Sequence, residues 1–283
     1  MPTTRYLRRI GIDEPLPPTL DSLVRIHRGH LSRVPYENLA IMLGRPPSVD
    51  PAACLERVGT LGRAGYCFHQ NGALETALVT LGFDVSRRHG HVWMNEEGRY
   101  ADSLNHLALV VSGLPSDDNP TGEWWVDVGL GDAFRDPIPL LAGEHRQGGF
   151  TYVLEDVGPD GWTFHHDPAG SFTGMVASTS ATDPATVLAA HTELSGPPDG
   201  TFTRVVVAQR RDETGVDTLR GCLLLRIEPD RRTETELTTY DEWRGALTDG
   251  VGVPVDDLDA GELRDLWFRM RRLHEAWETA GRP

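Results

Sequence analysis

The hydrophobic period of this chain changes once, near Phe83, and that change limits the folds open to it. Before it, apolar residues recur at helical spacing. From Thr19 to Arg33 the stripe is Leu20, Leu23, Val24, Ile26 and Leu31, opened by Pro17-Pro18 and stopped by Pro35. Asp50 is an N-cap and Pro51 a first-position residue for a second helix running past Val58. A break at Gly62 to Gly65 precedes a third helix from Cys67 to Leu81, ended by Gly82. Beyond it, alternation takes over. Phe83–Val85, His91–Met94, Leu104–Val111, Trp124–Val128, Phe150–Leu154 and Trp162–His165 read as strands, and the turn-rich SGLPSDDNPTGE separates the third from the fourth. Residues 167–200 are loop-rich, with a short helix at Pro184–His191. Phe202–Arg210 and Thr218–Glu228 read as strands, Leu258–Ala280 as a closing helix. Helices, then strands, then a mixture is the order of an α+β protein whose middle third forms an antiparallel sheet or barrel.

Composition narrows the function. The net charge of −15 repels polyanions, so neither nucleic acid nor an anionic membrane surface is an expected partner. All 27 basic residues are Arg, which excludes a lysine Schiff base or lysine general base. Three cysteines, Cys54, Cys67 and Cys222, provide neither a disulfide framework nor a CxxC pair, and a reducing cytoplasmic setting fits them. The first eighteen residues lack the apolar core of a signal peptide, and no stretch is apolar enough for a membrane helix. His89 with His91, and His165 with His166, lack further ligands at metal spacing, so no metal is expected. Cys54 reads as a mid-helix and Cys222 as a mid-strand core residue, and His27 and His30 as parts of the helical bundle.

The chemistry gathers at three residues. Cys67 opens a helix after a glycine-containing turn, where unpaired N–H groups and the positive end of the helix dipole favour a thiolate and can receive an oxyanion. Most lone cysteines are simply buried core residues. His106 lies in NHLALVV, on the strand face of Leu104, Ala108 and Val110. Asp127 lies in WWVDVGLGD, on the face of Trp125. A buried Asp needs a partner, and an imidazolium on an adjacent antiparallel strand supplies one. Cysteine, histidine and aspartate then form a nucleophile, a base and an orienting carboxylate, at the mouth of an accessible cleft.

Four ordered segments carrying these residues resemble the arylamine N-acetyltransferase family: TLDSLVRIHRGHLSRVPYENL, GRAGYCFHQNGALETALVTLGFDV, NHLALVV and WWVDVGLG. The resemblance is densest over residues 5–140. It implies an α+β fold with a helical bundle over 1–84, a central antiparallel β-barrel over 85–190, a C-terminal α/β lid over 191–283, and a cysteine-protease-like Cys-His-Asp core. It implies that Cys67 takes an acyl group from acetyl-CoA or another acyl thioester. A ping-pong reaction then passes that group to an arylamine, hydrazine or hydroxylamine, with His106 moving protons and Asp127 orienting the ring. Gly129 and Gly131 would admit the pantetheine arm or the acceptor close to the backbone. Tyr36, Phe68 and Phe134 are candidates for the substrate pocket.

The sequence departs from the family pattern at Ala64, His69, Ala40 and Tyr36, which touches the substrate and leaves the triad intact. Two alternatives follow: an amide synthase that joins a polyketide thioester, delivered by an acyl carrier protein, to an aryl amine in a macrolactam or amide; and an inactive binding protein of the same fold.

Overall fold

A computed structural model describes residues 1–282 except 15, 102, 181 and 197–199. The last four of these fall in or beside the expected loop at 167–200, so that part of the expectation lies outside the described residues.

The N-terminal region packs α1 (Pro2–Arg9), α2 (Leu20–Arg33), a single turn α3 (Leu39–Met42), α4 (Pro51–Leu61) and α5 (Cys67–Thr80). The sequence-level caps are in place. Thr19 Oγ1 accepts from Ser22 N–H, and Asp50 Oδ1 accepts from Ala53 N–H. Gly62 closes α4 in the left-handed conformation, φ +71°. Tyr6, Leu7, Leu23, Ile26, Leu55, Val58, Leu74 and Leu78 join one apolar core with Val126 and Val128, so helices and barrel share an interior.

Eight strands follow around one antiparallel sheet. They are β2 (Asp84–Trp93), β3 (His106–Ser112), β4 (Trp124–Val126), β5 (Ile138–Pro139), β6 (Gly143–Gln147), β7 (Phe150–Gly158), β8 (Gly161–His165) and β9 (Gly174–Ser178). Their order is β5-β4-β3-β2-β9-β8-β7-β6. The two edge strands are consecutive in the chain, separated only by residues 140–142, so the sheet curls nearly into a barrel. Trp125, Phe134, Tyr152, Phe164 and Met175 fill its interior. The remaining sheet joins β1 (Tyr36–Glu37) to β10 (Val207–Arg211), β11 (Val216–Arg220), β12 (Leu223–Glu228) and β13 (Arg231–Glu236). Against it lie α7 (Tyr240–Gly245) and α8 (Ala260–Thr279), while α6 (Pro184–Ser195) links barrel and second sheet. The boundary at 190/191 falls inside α6.

Several expected elements differ in extent. Phe83–Val85 and His91–Met94 belong to one strand, β2, because the polar run between them stays paired: Arg87 faces Leu109 in register and bonds Glu75 at 2.7 and 2.8 Å. The strand at Trp124 stops at Val126, where Asp127 and Val128 turn to bond side chains of the helical region. The expected strand at 202–210 begins only at Val207, since Thr201–Thr203 forms a 3-10 turn. The run at 218–228 is two strands, split by Gly221 at φ +58°. Cys222 therefore sits in a buried turn, not in a strand. Among the described residues no helix is long and apolar enough to cross a membrane.

Candidate active site

α5 begins at Cys67, with Tyr66 as its N-cap residue in extended conformation. The His69 and Gln70 N–H groups bond the Tyr66 carbonyl at 2.9 and 3.0 Å, so the donors left at this helix end beside the thiol are the N–H groups of Cys67 and Phe68. β3 and β4 pair antiparallel with Val110 opposite Trp125, which brings His106 and Asp127 to the same end of the same inner face. His106 Nε2 and Asp127 Oδ2 are 2.7 Å apart. The other ring nitrogen is left for Cys67, and the thiol is also 3.5 Å from the Asn105 carbonyl. The three expected residues thus meet.

Their charges are coupled. Burial alone depresses the proton affinity of the His106 ring. The Asp127 carboxylate, by charge and hydrogen bond, and Cys67 overcome it and raise the pKa to about 10. The imidazole is therefore cationic at neutral pH. The other two thiols lie in different surroundings: burial pushes Cys54 up to about 12 and Cys222 up to about 11.

Asp127 is held by four donors. Asn71 Nδ2 (2.8 Å) and Gly129 N–H (2.9 Å) donate to Oδ1, while His106 Nε2 (2.7 Å) and Trp125 Nε1 (3.3 Å) donate to Oδ2. A carboxylate so saturated has few lone pairs left and one orientation. Asn71 does more than bond the acid. It also donates to Leu107 O (2.6 Å) and accepts from Val128 N–H (2.9 Å), tying the nucleophile helix to both triad strands. Its signal in the sequence was its place four residues after Cys67, on the same helix face. His27 is the second residue that sequence reasoning assigned only to the helical bundle. Burial keeps its ring neutral; Nδ1 donates to Arg135 O (2.7 Å), and Nε2 accepts from Asp127 N–H (3.1 Å).

Gly129 explains how close the helix comes. A Cβ there would lie 2.8 Å from Cys67 Cα and 2.9 Å from Asn71 Nδ2. Gly131 has φ +70°, and a Cβ there would collide with the Gln209 side chain, so this glycine meets the second sheet. Phe68 is buried beside Cys67, and Tyr36 packs on the same cluster. Phe134 lies inside the barrel instead, stacked on His27 and edge-on to Trp125 at 4.5 Å.

The turn before Cys67 is braced by a buried cation. Arg63, 1% exposed, donates to both oxygens of Asp257 at 2.8 and 2.9 Å, and its Nε lies 3.8 Å from the buried Glu37 carboxylate. Removing it takes the ion-pair partner from the buried Glu37 and leaves it the more distant charge of Arg57. Arg63→Ala is expected to destabilise the fold by about 3–5 kcal/mol in urea unfolding, whereas loss of under about 1 kcal/mol would refute the bracing role.

Cys67 is 3% exposed. The expected open cleft is a covered one: Val187, Ala190 and Leu194 of α6 and Phe202 pack over Tyr66, Cys67 and Phe68, and Tyr66 Oη bonds His191 Nδ1 at 2.8 Å. Two surface hollows of about 410 and 420 Å³ are lined by Arg244–Asp256 residues and by Arg88, Glu123 and Trp162, away from the triad. The chemistry, not the hollows, marks the site.

The sequence and the fold have counterparts among known proteins. A family model described as N-acetyltransferase matches residues 19–260. The arylamine N-acetyltransferase of Mycolicibacterium smegmatis is 37% identical over 145 residues, 50% of this chain and 51% of the relative. A pineal gland isozyme from Gallus gallus is 33% identical over 144 residues, 49% and 48% of the two chains. In these alignments the chain spans about half the length of the curated relatives it matches. Among solved structures, the M. smegmatis arylamine N-acetyltransferase superposes with a TM-score of 0.83 at 27% identity, covering 95% of this chain and 97% of that one. The Mycobacterium marinum enzyme in complex with CoA superposes at 0.81 with 24% identity, covering 95% and 98%.

Proposed function

The chain belongs to the arylamine N-acetyltransferase family, and from that premise we propose that it moves an acyl group from a thioester through Cys67 to the nitrogen of an aryl amine, hydrazine or hydroxylamine. The observation that carries this reading is the 2.7 Å His106–Asp127 contact beside a thiol at a helix N-terminus.

The geometry suits a ping-pong sequence. With the imidazole already cationic, Cys67 attacks the thioester carbonyl as a thiolate. The tetrahedral oxyanion is received by first-turn N–H groups of α5. His106 gives its proton to the departing thiolate. Acylation removes one of the two anionic neighbours that sustain the imidazolium, so proton affinity falls at the step where a base is needed. The neutral ring then takes the proton of the attacking amine, and Cys67 leaves as the thiolate. Asp127 keeps the ring in one orientation throughout.

We assign acetyl-CoA as the donor, in keeping with the M. marinum relative's complex with CoA. Tyr36 and Phe68 are assigned to the substrate side by their packing on Cys67, and Gly129 to close helix approach. We read the chain as a helical part carrying the nucleophile, a barrel carrying His and Asp, and a C-terminal part reaching back over both. Three free cysteines suit a reducing compartment. The proposal is tested by steady-state kinetics with acetyl-CoA and an aryl hydrazine. Parallel double-reciprocal lines and acetylated hydrazine are expected. Intersecting lines, or no product with any acyl-CoA, would refute it.

A further inference from the structure

Away from Cys67, the end of α8 and the end of β13 bring three metal-ligating side chains together. We propose that Glu236, His274 and Glu278 form a site for a divalent transition ion of the zinc class. His274 and Glu278 are four residues apart on α8 and so lie on one helix face. Glu236 is the last residue of β13. His274 Nε2 is 3.4 Å from Glu236 Oε1 and 3.9 Å from Glu278 Oε1, and all three ligand atoms lie within 4.8 Å of one another. Bonds of about 2.0–2.2 Å at tetrahedral angles put ligand atoms roughly 3.3–3.6 Å apart. Atoms within 4.8 Å of one another must then close by up to about 1.5 Å, a side-chain rotation open to two exposed carboxylates.

The second observation is the imidazole itself. The His274 side chain is only 5% exposed, yet its Nε2 makes no hydrogen bond and is aimed between the two carboxylates. A buried ring nitrogen without a hydrogen bond is costly, and a metal ion would satisfy it. One imidazole and two carboxylates form a donor set for zinc, cobalt or manganese, with water at the open positions. Arg271 donates to Glu236 Oε1 at 2.9 Å and Arg282 to Glu278 Oε1 at 2.7 Å. The Oε1 atoms that face His274 are the ones the arginines donate to, so an ion would share those oxygens with Arg271 and Arg282 or turn each carboxylate to offer Oε2, with the arginines as outer partners. The ion would pin the last turns of α8 to β13, the exposed edge of the second sheet.

The test is zinc titration by calorimetry of the full chain carrying Cys67→Ala, which removes the reactive thiol as a rival ligand. One ion per chain at micromolar affinity is expected. His274→Ala, and independently Glu278→Gln at the exposed carboxylate, are expected to weaken it by roughly 100-fold. Cobalt should give visible d–d bands without a thiolate charge-transfer band. Unchanged affinity in both variants, a thiolate band, or no saturable binding below about 1 mM would overturn the site; the last outcome would leave the two arginine pairs as the cluster's only function.

Discussion

Asp127→Asn is expected to lower acetyl transfer by on the order of 10⁴-fold while the protein remains folded. The carboxylate is the charge that holds the His106 ring cationic, against burial that favours the neutral form. With Asp127 present, the imidazolium persists below about pH 10 and is lost as pH rises through that value. With the amide in its place, the larger raising charge is gone and only Cys67 still opposes burial, so the ring's proton affinity falls. The single-turnover acetylation rate of the wild type should therefore be level across neutral pH and break near pH 10. In the variant the break should move to lower pH. The same linkage acts on stability: the raised His106 contributes in full below its ordinary value of about 6.5, and that contribution is lost as pH rises through about 10. A variant that keeps the wild-type break would show that another group sets the ring's charge.

Gly129→Ala is expected to cost about 100-fold in acetyl transfer and about 1–3 kcal/mol in stability. The new methyl would meet the backbone of Cys67 at 2.8–3.0 Å and the Asn71 amide at 2.9 Å. Neither neighbour is the free end of a flexible side chain. Asn71 is engaged by Asp127, Leu107 and Val128, and the Cys67 backbone belongs to a packed helix. The strain is relieved only by moving the nucleophile away from His106, and displacement of reacting atoms by about 1 Å is sufficient for a loss of that size. Transfer within about threefold of wild type would mean that helix and strand slide without effect on the triad. Denaturant unfolding measured alongside separates misplacement from simple unfolding.

How much of this could be read in the sequence depended on local signals. α2, α4 and α5 were legible because Thr19, Asp50-Pro51 and Gly62 are chemical punctuation acting within one turn. β13 was not, because RRTETE is exposed along its whole length and offers no apolar face to alternate with. α1 hid behind three arginines in ten residues, although Tyr6 and Leu7 are fully in the core. The triad emerged from the order of the motifs and from the face of each strand; the register that sets Val110 opposite Trp125 is visible only in the structure. What supports the triad did not. The roles of Asn71 and His27 depend on contacts 56 and 100 residues distant in sequence. The cover of α6 over Cys67, the bond from Tyr66 to His191 and the place of Phe134 inside the barrel are equally non-local.

The most direct test of a thiol activated by its surroundings is to expose the folded protein to iodoacetamide near pH 7 and map the modified cysteines by peptide mass. The account predicts carboxamidomethylation at Cys67 alone, because burial holds Cys54 and Cys222 as protonated thiols at about 12 and 11. It also predicts that saturating acetyl-CoA protects that position. Labelling spread over all three cysteines, or an unmodified Cys67 in a protein that still acetylates its acceptor, would contradict it.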